Sequence, residues 1–211
     1  MSIQVTTSIS QALAAAQPQK LPERHHKRRS AVALVVDHDS MHDASLLMIR
    51  RAQHERDPWS GHMAFPGGRY EQRDRSGLAT AKREMHEEVG FDIDDETVRN
   101  AGRVIGRLSD FSTRRRAIPI DMIVSPYVFQ IEERPPLAPN HEVDDALWIP
   151  LAFFADPENR SSLDFRYGGQ DHAMPCVRFS DDHVVWGMTL KMIDELLSIA
   201  GAALPGALRS K

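Results

Sequence analysis

The chain has 211 residues, of which 41% are hydrophobic and 27% charged, so it is long enough for one globular domain and too apolar to be wholly disordered. Its 30 acidic and 26 basic residues leave a formal net charge of −4, which calls for neither a nucleic-acid partner nor an anionic membrane. No apolar run approaches the roughly 18–20 residues that span a bilayer. The single cysteine, Cys176, excludes an intrachain disulfide and a four-cysteine zinc site, and it favours a reducing, cytoplasmic setting.

Residues 1–29 are expected to form a leader with one short helix, in which Ser8 or Ser10 caps a turn through Leu13. The segment has no apolar run flanked by basic residues, which argues against a secretory signal, and it has no arginine before Lys20, which argues against a transit peptide. The basic run at 24–29 is interpreted as a solvated lead-in to the first strand, with an anion or partner contact as the alternative.

The rest of the chain shows no internal repeat and no change of composition. Periodicity predicts a mixture of strands and helices, which indicates a single α/β domain over 30–200 with a mixed central sheet, followed by a frayed tail over 201–211. Strands are expected at 31–36, 45–50, 104–108, 118–124, 127–131, 146–149, 177–179 and 184–185, an extended piece at 63–65, a turn at 66–68, and helices at 78–89, 150–154 and 186–200.

The helix predicted over 78–89 carries an acidic ridge. At ~100° per residue, Glu84, Glu87 and Glu88 fall within an arc of ~100°, beside an apolar stripe that can dock on the sheet. Neighbouring carboxylates repel each other by on the order of 1 kcal/mol per pair, and a divalent cation would remove that cost. The alternative is a solvated acidic face with Arg83, one turn before Glu87, as its ion-pair partner.

The glycine pair Gly67–Gly68 ahead of this helix favours a metal site over a solvated face. A glycine turn lets the backbone approach an ion or a phosphate closely. Oxygen ligands without histidine or cysteine suit Mg²⁺ or Mn²⁺, and Mg²⁺ commonly bridges to substrate phosphates. We therefore expect a Mg²⁺ or Mn²⁺ cofactor and a substrate that carries a diphosphate.

The segment from Gly68 to Phe91 resembles the Nudix box, G-x5-E-x7-R-E-U-x-E-E-x-G-U, where U is a bulky apolar residue. Its second half, from Arg83 to Phe91, matches at every fixed position. Its first half departs, since Asp74 replaces the first glutamate and eight residues precede Arg83. The same departures are features of the coenzyme A diphosphatase branch, and the resemblance implies a Nudix-type α/β/α sandwich.

The resemblance also implies roles for individual residues. Glu84, Glu87 and Glu88 would be metal ligands with the Gly68 carbonyl, and Arg83 would orient the glutamates. The reaction would be attack of water on a phosphorus of a nucleoside diphosphate derivative. The catalytic base would be a box glutamate, Glu84 or Glu87, or else Glu142 from a later loop. For Glu142 the alternative is an ordinary surface carboxylate.

An upstream pattern bears on the substrate. The chain carries Leu47 to Ala52, then Arg56, Gly61 and Phe65-Pro66-Gly67-Gly68, which is similar to a pattern of the coenzyme A branch. Arg51 and Arg56, near the glycine pair, would bind a 3′-phosphate or the diphosphate, because guanidinium matches phosphate bidentately. The alternative is that both are surface arginines. The basic segment 113–116 is interpreted as a solvated loop, with a phosphate contact as the alternative.

The leading expectation is hydrolysis of coenzyme A or an acyl derivative to 4′-phosphopantetheine and adenosine 3′,5′-bisphosphate. One rival is hydrolysis of another nucleoside diphosphate derivative, such as ADP-ribose, a dinucleoside polyphosphate or an oxidised nucleotide. A second rival is a non-catalytic nucleotide sensor, against which the intact set of glutamates argues. A small-molecule substrate is the expected partner, and a homodimer is left open.

Overall fold

A computed structural model describes residues 8–55, 59–95, 102–113, 121–167 and 169–201. Within these residues the chain forms an eight-stranded mixed sheet, a three-stranded antiparallel sheet and helices on both sides. The helices are α1 Ile9–Ala15, α2 Gly77–Val89, α3 Leu151–Ala155 and α4 Gly187–Ile199. The strands of the larger sheet are β1 Arg28–Val36, β2 Ser45–Arg51, β3 Met63–Ala64, β4 Gly67–Arg69, β5 Arg103–Arg107, β6 Phe111–Ser112, β7 Met122–Gln130 and β8 Val143–Pro150, and those of the smaller sheet are β9 Arg160–Tyr167, β10 Gln170–Arg178 and β11 Val184–Trp186.

Strand β1 organises the larger sheet. It runs parallel to β7 over its whole length and antiparallel to β4, which pairs with its first half. Strand β2 follows β1 and carries β3 and β8, both antiparallel. Strands β5 and β6 pair antiparallel with β7. The sheet is therefore mixed, as predicted.

The sheet is buried on both faces. Leu34 and Val36 of β1 point into one cluster with α1 and α4, whereas Ala33 and Val35 point into a second cluster with α2. This alternation follows from the two-residue period of a strand. Helices thus cover both faces of the sheet, and the predicted α/β/α sandwich is confirmed.

Several predicted elements differ from those observed. The strands expected at 118–124 and 127–131 form one strand, β7, of which residues 118–120 lie outside the described part of the chain. Pro126 lacks an N–H but stays within β7, and its carbonyl accepts a hydrogen bond from the Leu108 N–H at 3.1 Å. Strand β9, β6 and most of β10 were not predicted. The exposed strands β9 and β10 are largely polar, so hydrophobic periodicity gives little sign of them.

The first helix is part of the core. Ser8 caps α1 as expected, with its Oγ accepting a hydrogen bond from Gln11 N at 3.2 Å, and Ile9 and Leu13 are buried. The interpretation of 24–29 as a solvated lead-in is wrong for two of its cations. Arg24 pairs with Asp110 at 3.5 Å and Lys27 with Asp121 at 3.0 Å, and the side chains of the two cations are only 17% and 15% exposed. Residues 28 and 29 already belong to β1. The domain bounds at 29/30 and 200/201 stay predictions.

None of the described helices is long and apolar enough to cross a membrane.

Candidate active site

Helix α2 positions the acidic ridge, and its ends are fixed by local sequence. Ser76 caps its start, with Oγ accepting a hydrogen bond from Ala79 N at 3.1 Å. Gly90 ends it in the left-handed region, at φ 72°, where glycine meets no Cβ penalty. Ala81 and Met85 are fully buried against the sheet. Because this stripe docks α2, the glutamates beside it are held against strand β4.

Glu88 is the most buried carboxylate of the ridge. Its residue is 2% exposed, and its Oε2 accepts a hydrogen bond from the Gly67 N–H at 2.8 Å. Burial raises the pKa of Glu88 to about 8, and the negative charges of Glu84 and Glu142 add to that effect. The Gly67 hydrogen bond and the charge of Arg51 act in the opposite direction. A solvated acidic face does not account for such a residue.

Glu84 lies directly against Gly68. A Cβ on Gly68 would stand 2.3 Å from Glu84 Oε1, so glycine is needed for the carboxylate to occupy its present position. The expected glycine turn is wrong. Gly67 and Gly68 lie in β4, paired with Val32 and Ala31, and neither has a positive φ. The glycine pair is needed for close approach between a strand and α2, whereas a turn would have required conformational freedom.

Arg83 joins two glutamates of the ridge, Glu84 and Glu87, in one ion-pair network. Its Nη1 lies 2.9 Å from Glu84 Oε1 and donates to Glu87 Oε2 at 2.8 Å. Arg83 therefore contacts two of the glutamates, and its orienting role stays a prediction. Arg73 also donates to Glu87, from Nη2 to Oε1 at 2.8 Å. Glu87 is the most exposed of the three glutamates, with 43% of its side chain accessible, while Glu84 keeps 14%.

Asp74 anchors Arg83 from the other side. The Arg83 Nε and Nη2 each donate to one Asp74 oxygen at 3.0 Å, and Asp74 is 6% exposed. The Thr80 hydroxyl and the Glu71 N–H also donate to Asp74. The hydrogen bonds from Arg83 lower the pKa of Asp74 to about 2, and the bond to Asp74 in turn raises the pKa of Arg83. Asp74, which replaces the longer glutamate of the Nudix box, thus serves as a fixed, charged anchor for Arg83.

Arg51 and Glu142, predicted to bind substrate and to act as a base, lie at the end of β2 and just before β8. Arg51 ends β2, and its positive charge is near enough to Glu88 to act to lower the pKa of that carboxyl. Glu142 stands just before β8, where Asn140 Oδ1 accepts a hydrogen bond from its N–H at 2.8 Å. Its negative charge raises the pKa values of both Glu84 and Glu88, so it too lies near the ridge. Arg56 and residues 114–116 of the second basic segment lie outside the described residues.

Comparison with known proteins identifies the family. The family model described as the NUDIX domain matches residues 26–165. The chain belongs to the Nudix family. The chloroplastic Nudix hydrolase 22 of Arabidopsis thaliana is 26% identical over 198 residues, covering 90% of this chain and 61% of that protein. The uncharacterized Nudix hydrolase NudL of Enterobacter sp. (strain 638) is 33% identical over 153 residues, covering 72% of each.

A third relative is named for its substrate. The peroxisomal coenzyme A diphosphatase NUDT7 of Mus musculus is 27% identical over 153 residues, covering 70% of this chain and 59% of that protein. The present chain therefore spans less than two thirds of both the plant and the mouse Nudix proteins.

The donor set of this Nudix chain suits a hard divalent cation. Glu84, Glu87 and Glu88 offer only oxygen, and two of them are largely buried beside each other. Burial and the charges of Glu87 and Glu142 raise the pKa of Glu84 in spite of Arg83. Over the ranges that the structure describes, no three histidine, cysteine or acidic side chains are arranged as a metal cluster. A cation would compete with Arg83 for the oxygens of Glu84 and Glu87.

Sequence reasoning missed three supports of the Nudix site. Ser76 is a recognisable cap, since it stands immediately before the helical period. Thr80 and Arg73 gave no usable signal. The Thr80 hydroxyl reaches Asp74, six residues back, and the Arg73 guanidinium reaches Glu87, fourteen residues on. Both contacts depend on the loop that folds residues 69–76 against α2.

Proposed function

We propose that this Nudix protein is a pyrophosphohydrolase that requires Mg²⁺ or Mn²⁺ and cleaves the diphosphate bond of coenzyme A or an acyl-coenzyme A. The observation that carries the proposal is a pair of carboxylates against β4: Glu88, buried and bonded to the Gly67 N–H, and Glu84, partly buried against the bare face of Gly68. Removing two neighbouring carboxylates from water costs free energy, and a bound cation that also contacts a substrate phosphate would offset that cost.

The metal ligands would be Glu84, Glu87 and Glu88, with the Gly68 carbonyl. A bound divalent cation would activate water and neutralise the charge that develops on the phosphoryl oxygens. Arg83, anchored by Asp74, holds Glu84 and Glu87 on one side of α2 before any ligand arrives. This arrangement lowers the conformational freedom that binding would otherwise have to remove.

The chain's own groups would then manage the proton and the substrate. Glu142 is the proposed general base; Glu84 and Glu87 are the box alternatives. The base takes the proton of the attacking water, the new P–O bond forms, and the diphosphate P–O bond breaks. Arg51, and Arg56 by its place in the sequence, would bind the diphosphate or the 3′-phosphate. With coenzyme A the products are 4′-phosphopantetheine and adenosine 3′,5′-bisphosphate.

Two observations support coenzyme A over other nucleoside diphosphate derivatives. The upstream pattern from Leu47 to Gly68 resembles the coenzyme A branch, and the mouse relative is named as a coenzyme A diphosphatase. The named alternatives are ADP-ribose, a dinucleoside polyphosphate and an oxidised nucleotide. A cytoplasmic location and a homodimer stay predictions.

The test is a substrate panel. Purified protein is incubated with coenzyme A, ADP-ribose, diadenosine polyphosphates and 8-oxo-dGTP, with Mg²⁺ or Mn²⁺, and products are identified by mass spectrometry. Coenzyme A should be cleaved with the highest kcat/KM, and Glu88→Gln should abolish cleavage, whereas Glu158→Gln, at an exposed turn, should not. Preference for another compound would make that compound the assigned substrate in place of coenzyme A. No turnover of any compound would favour a nucleotide sensor.

A further inference from the structure

Three aromatic side chains from separate parts of the chain meet next to β3. The ring of His62, just before β3, lies 5.0 Å from the ring of Trp186, which ends β11. The ring of Phe165, on β9, lies 4.8 Å from Trp186 at a tilt of 48°. These are the separations at which aromatic rings attract each other. We call these three residues the aromatic shelf.

The shelf is not part of the hydrophobic core. Phe165 is 37% exposed, and His62 and Trp186 are each partly exposed. Neither of the two buried clusters, nor the side chains packed against them, includes Phe165 or Trp186. Rings that only filled the interior would be buried, whereas these leave aromatic surface open to solvent where the smaller sheet packs against β3.

A backbone hydrogen bond connects the shelf to Arg51, one of the residues proposed to bind the diphosphate or the 3′-phosphate. The carbonyl of His62 accepts a hydrogen bond from the Arg51 N–H at 3.1 Å, and Arg51 is the arginine whose charge reaches Glu88. The Thr189 hydroxyl, in the first turn of α4 after Trp186, donates to the Met63 carbonyl at 3.2 Å. Only residues 63–66 separate His62 from Gly67, so a fully extended chain limits the distance to roughly 17 Å.

We propose that the aromatic shelf binds the nucleobase of the diphosphate substrate by stacking it on the exposed surface of Phe165 and Trp186. The ligand class rests on the proposed function, since a nucleoside joined to the diphosphate would place a planar base within that reach. Every base has a π-face, and stacking on protein aromatic rings is a general mode of base binding. A flexible pantetheine or acyl arm has no such plane, so it gains less from tilted rings.

The test measures binding without catalysis. AMP is titrated into the full-length protein in EDTA by isothermal titration calorimetry, with wild type, Phe165→Leu and Phe165→Tyr. Stacking typically contributes ~1 kcal/mol or more per base, so Phe165→Leu should weaken AMP binding at least about fivefold, while Phe165→Tyr keeps it. Phe179→Leu is the matched control, because Phe179 is 38% exposed and contacts Phe153 rather than the shelf.

A second readout separates this inference from the proposed function. In turnover of coenzyme A, Phe165→Leu should raise KM with kcat unchanged, because a base contact far from the reacting phosphorus binds ground state and transition state alike. The inference is overturned if AMP affinity is unchanged in both Phe165→Leu and Trp186→Leu. It is also overturned if these variants weaken the binding of pantetheine instead of the binding of AMP. If coenzyme A is not cleaved but Phe165→Leu still loses AMP, the shelf stands and the proposed substrate fails.

Discussion

Replacing Gly68 by alanine should damage the site while leaving the fold nearly intact. The new Cβ would stand 2.3 Å from Glu84 Oε1 and 2.5 Å from its carboxyl carbon, whereas ordinary contacts begin near ~3.5 Å. The Glu84 carboxylate must therefore move by about 1 Å. A misplacement of that size in a catalytic group can cost on the order of 100-fold in rate. The atoms in the way belong to the end of a flexible side chain, and Gly68 has no positive φ, so stability should change by less than about 1 kcal/mol.

Gly67→Ala is the matched comparison, because the new Cβ would clash with backbone atoms, whereas at Gly68 it would clash with a side chain. A Cβ on Gly67 would stand 2.5 Å from the Ala31 carbonyl oxygen and 2.7 Å from Val32 Cα, in the neighbouring strand β1. Neither atom can turn away, so overpacking should cost about 1–3 kcal/mol. For a chain of this length each ~1 kcal/mol lowers Tm by about 2–4 °C.

Both variants are measured by thermal unfolding and by coenzyme A turnover in saturating Mn²⁺. Gly68→Ala should lose at least about tenfold in kcat/KM with a Tm close to wild type. Gly67→Ala should show the larger drop in Tm. Wild-type kcat/KM in Gly68→Ala, or a greater loss of stability there than in Gly67→Ala, would refute the close packing of β4 on α2.

Three other changes probe separate parts of the account. Asp74→Asn should lower stability by about 2 kcal/mol at pH 7, because a folded pKa of about 2 against 3.8 in the unfolded chain stabilises the fold above about pH 4 and is lost as pH falls toward 2; acid titrations of wild type and variant should therefore converge near pH 2. Ile9→Ala should cost about 2–5 kcal/mol in chemical denaturation if α1 belongs to the core, whereas the exposed control Gln11→Ala should stay within about 0.5 kcal/mol. Glu142→Gln should lower kcat by about 10²- to 10⁴-fold while Mn²⁺ affinity is kept, and an unchanged kcat would transfer the role of base to a box glutamate.

Local sequence was sufficient for the helix that carries the chemistry. Glu84, Glu87 and Glu88 and the apolar stripe all lie within α2, so the helical period fixes their positions around the helix, and Gly90 directly after α2 marks its end. The α/β/α arrangement followed from the alternation of strands and helices. Strand β9 and most of β10 were not predicted because these exposed strands carry little hydrophobic signal. They pair with each other as a hairpin.

The features that could not be predicted depend on contacts between residues that are distant in the sequence. The glycine pair was expected to turn the chain, but whether it turns or pairs is decided by the register with Ala31 and Val32, far back in the sequence. The burial of Glu88 likewise depends on the Gly67 N–H that β4 presents to it. The ion pairs of Arg24 and Lys27 required knowing which loops fold over β1.

The central claim is that the acidic ridge of α2 holds a divalent cation, and a Mn²⁺ titration followed by electron paramagnetic resonance tests it most directly. Wild-type protein should bind Mn²⁺. Glu88→Gln should weaken binding by at least about tenfold, since even groups one step removed from a metal typically matter that much, while Glu158→Gln should not. Absence of Mn²⁺ binding in the wild type, or equal affinity in wild type and Glu88→Gln, would contradict the account.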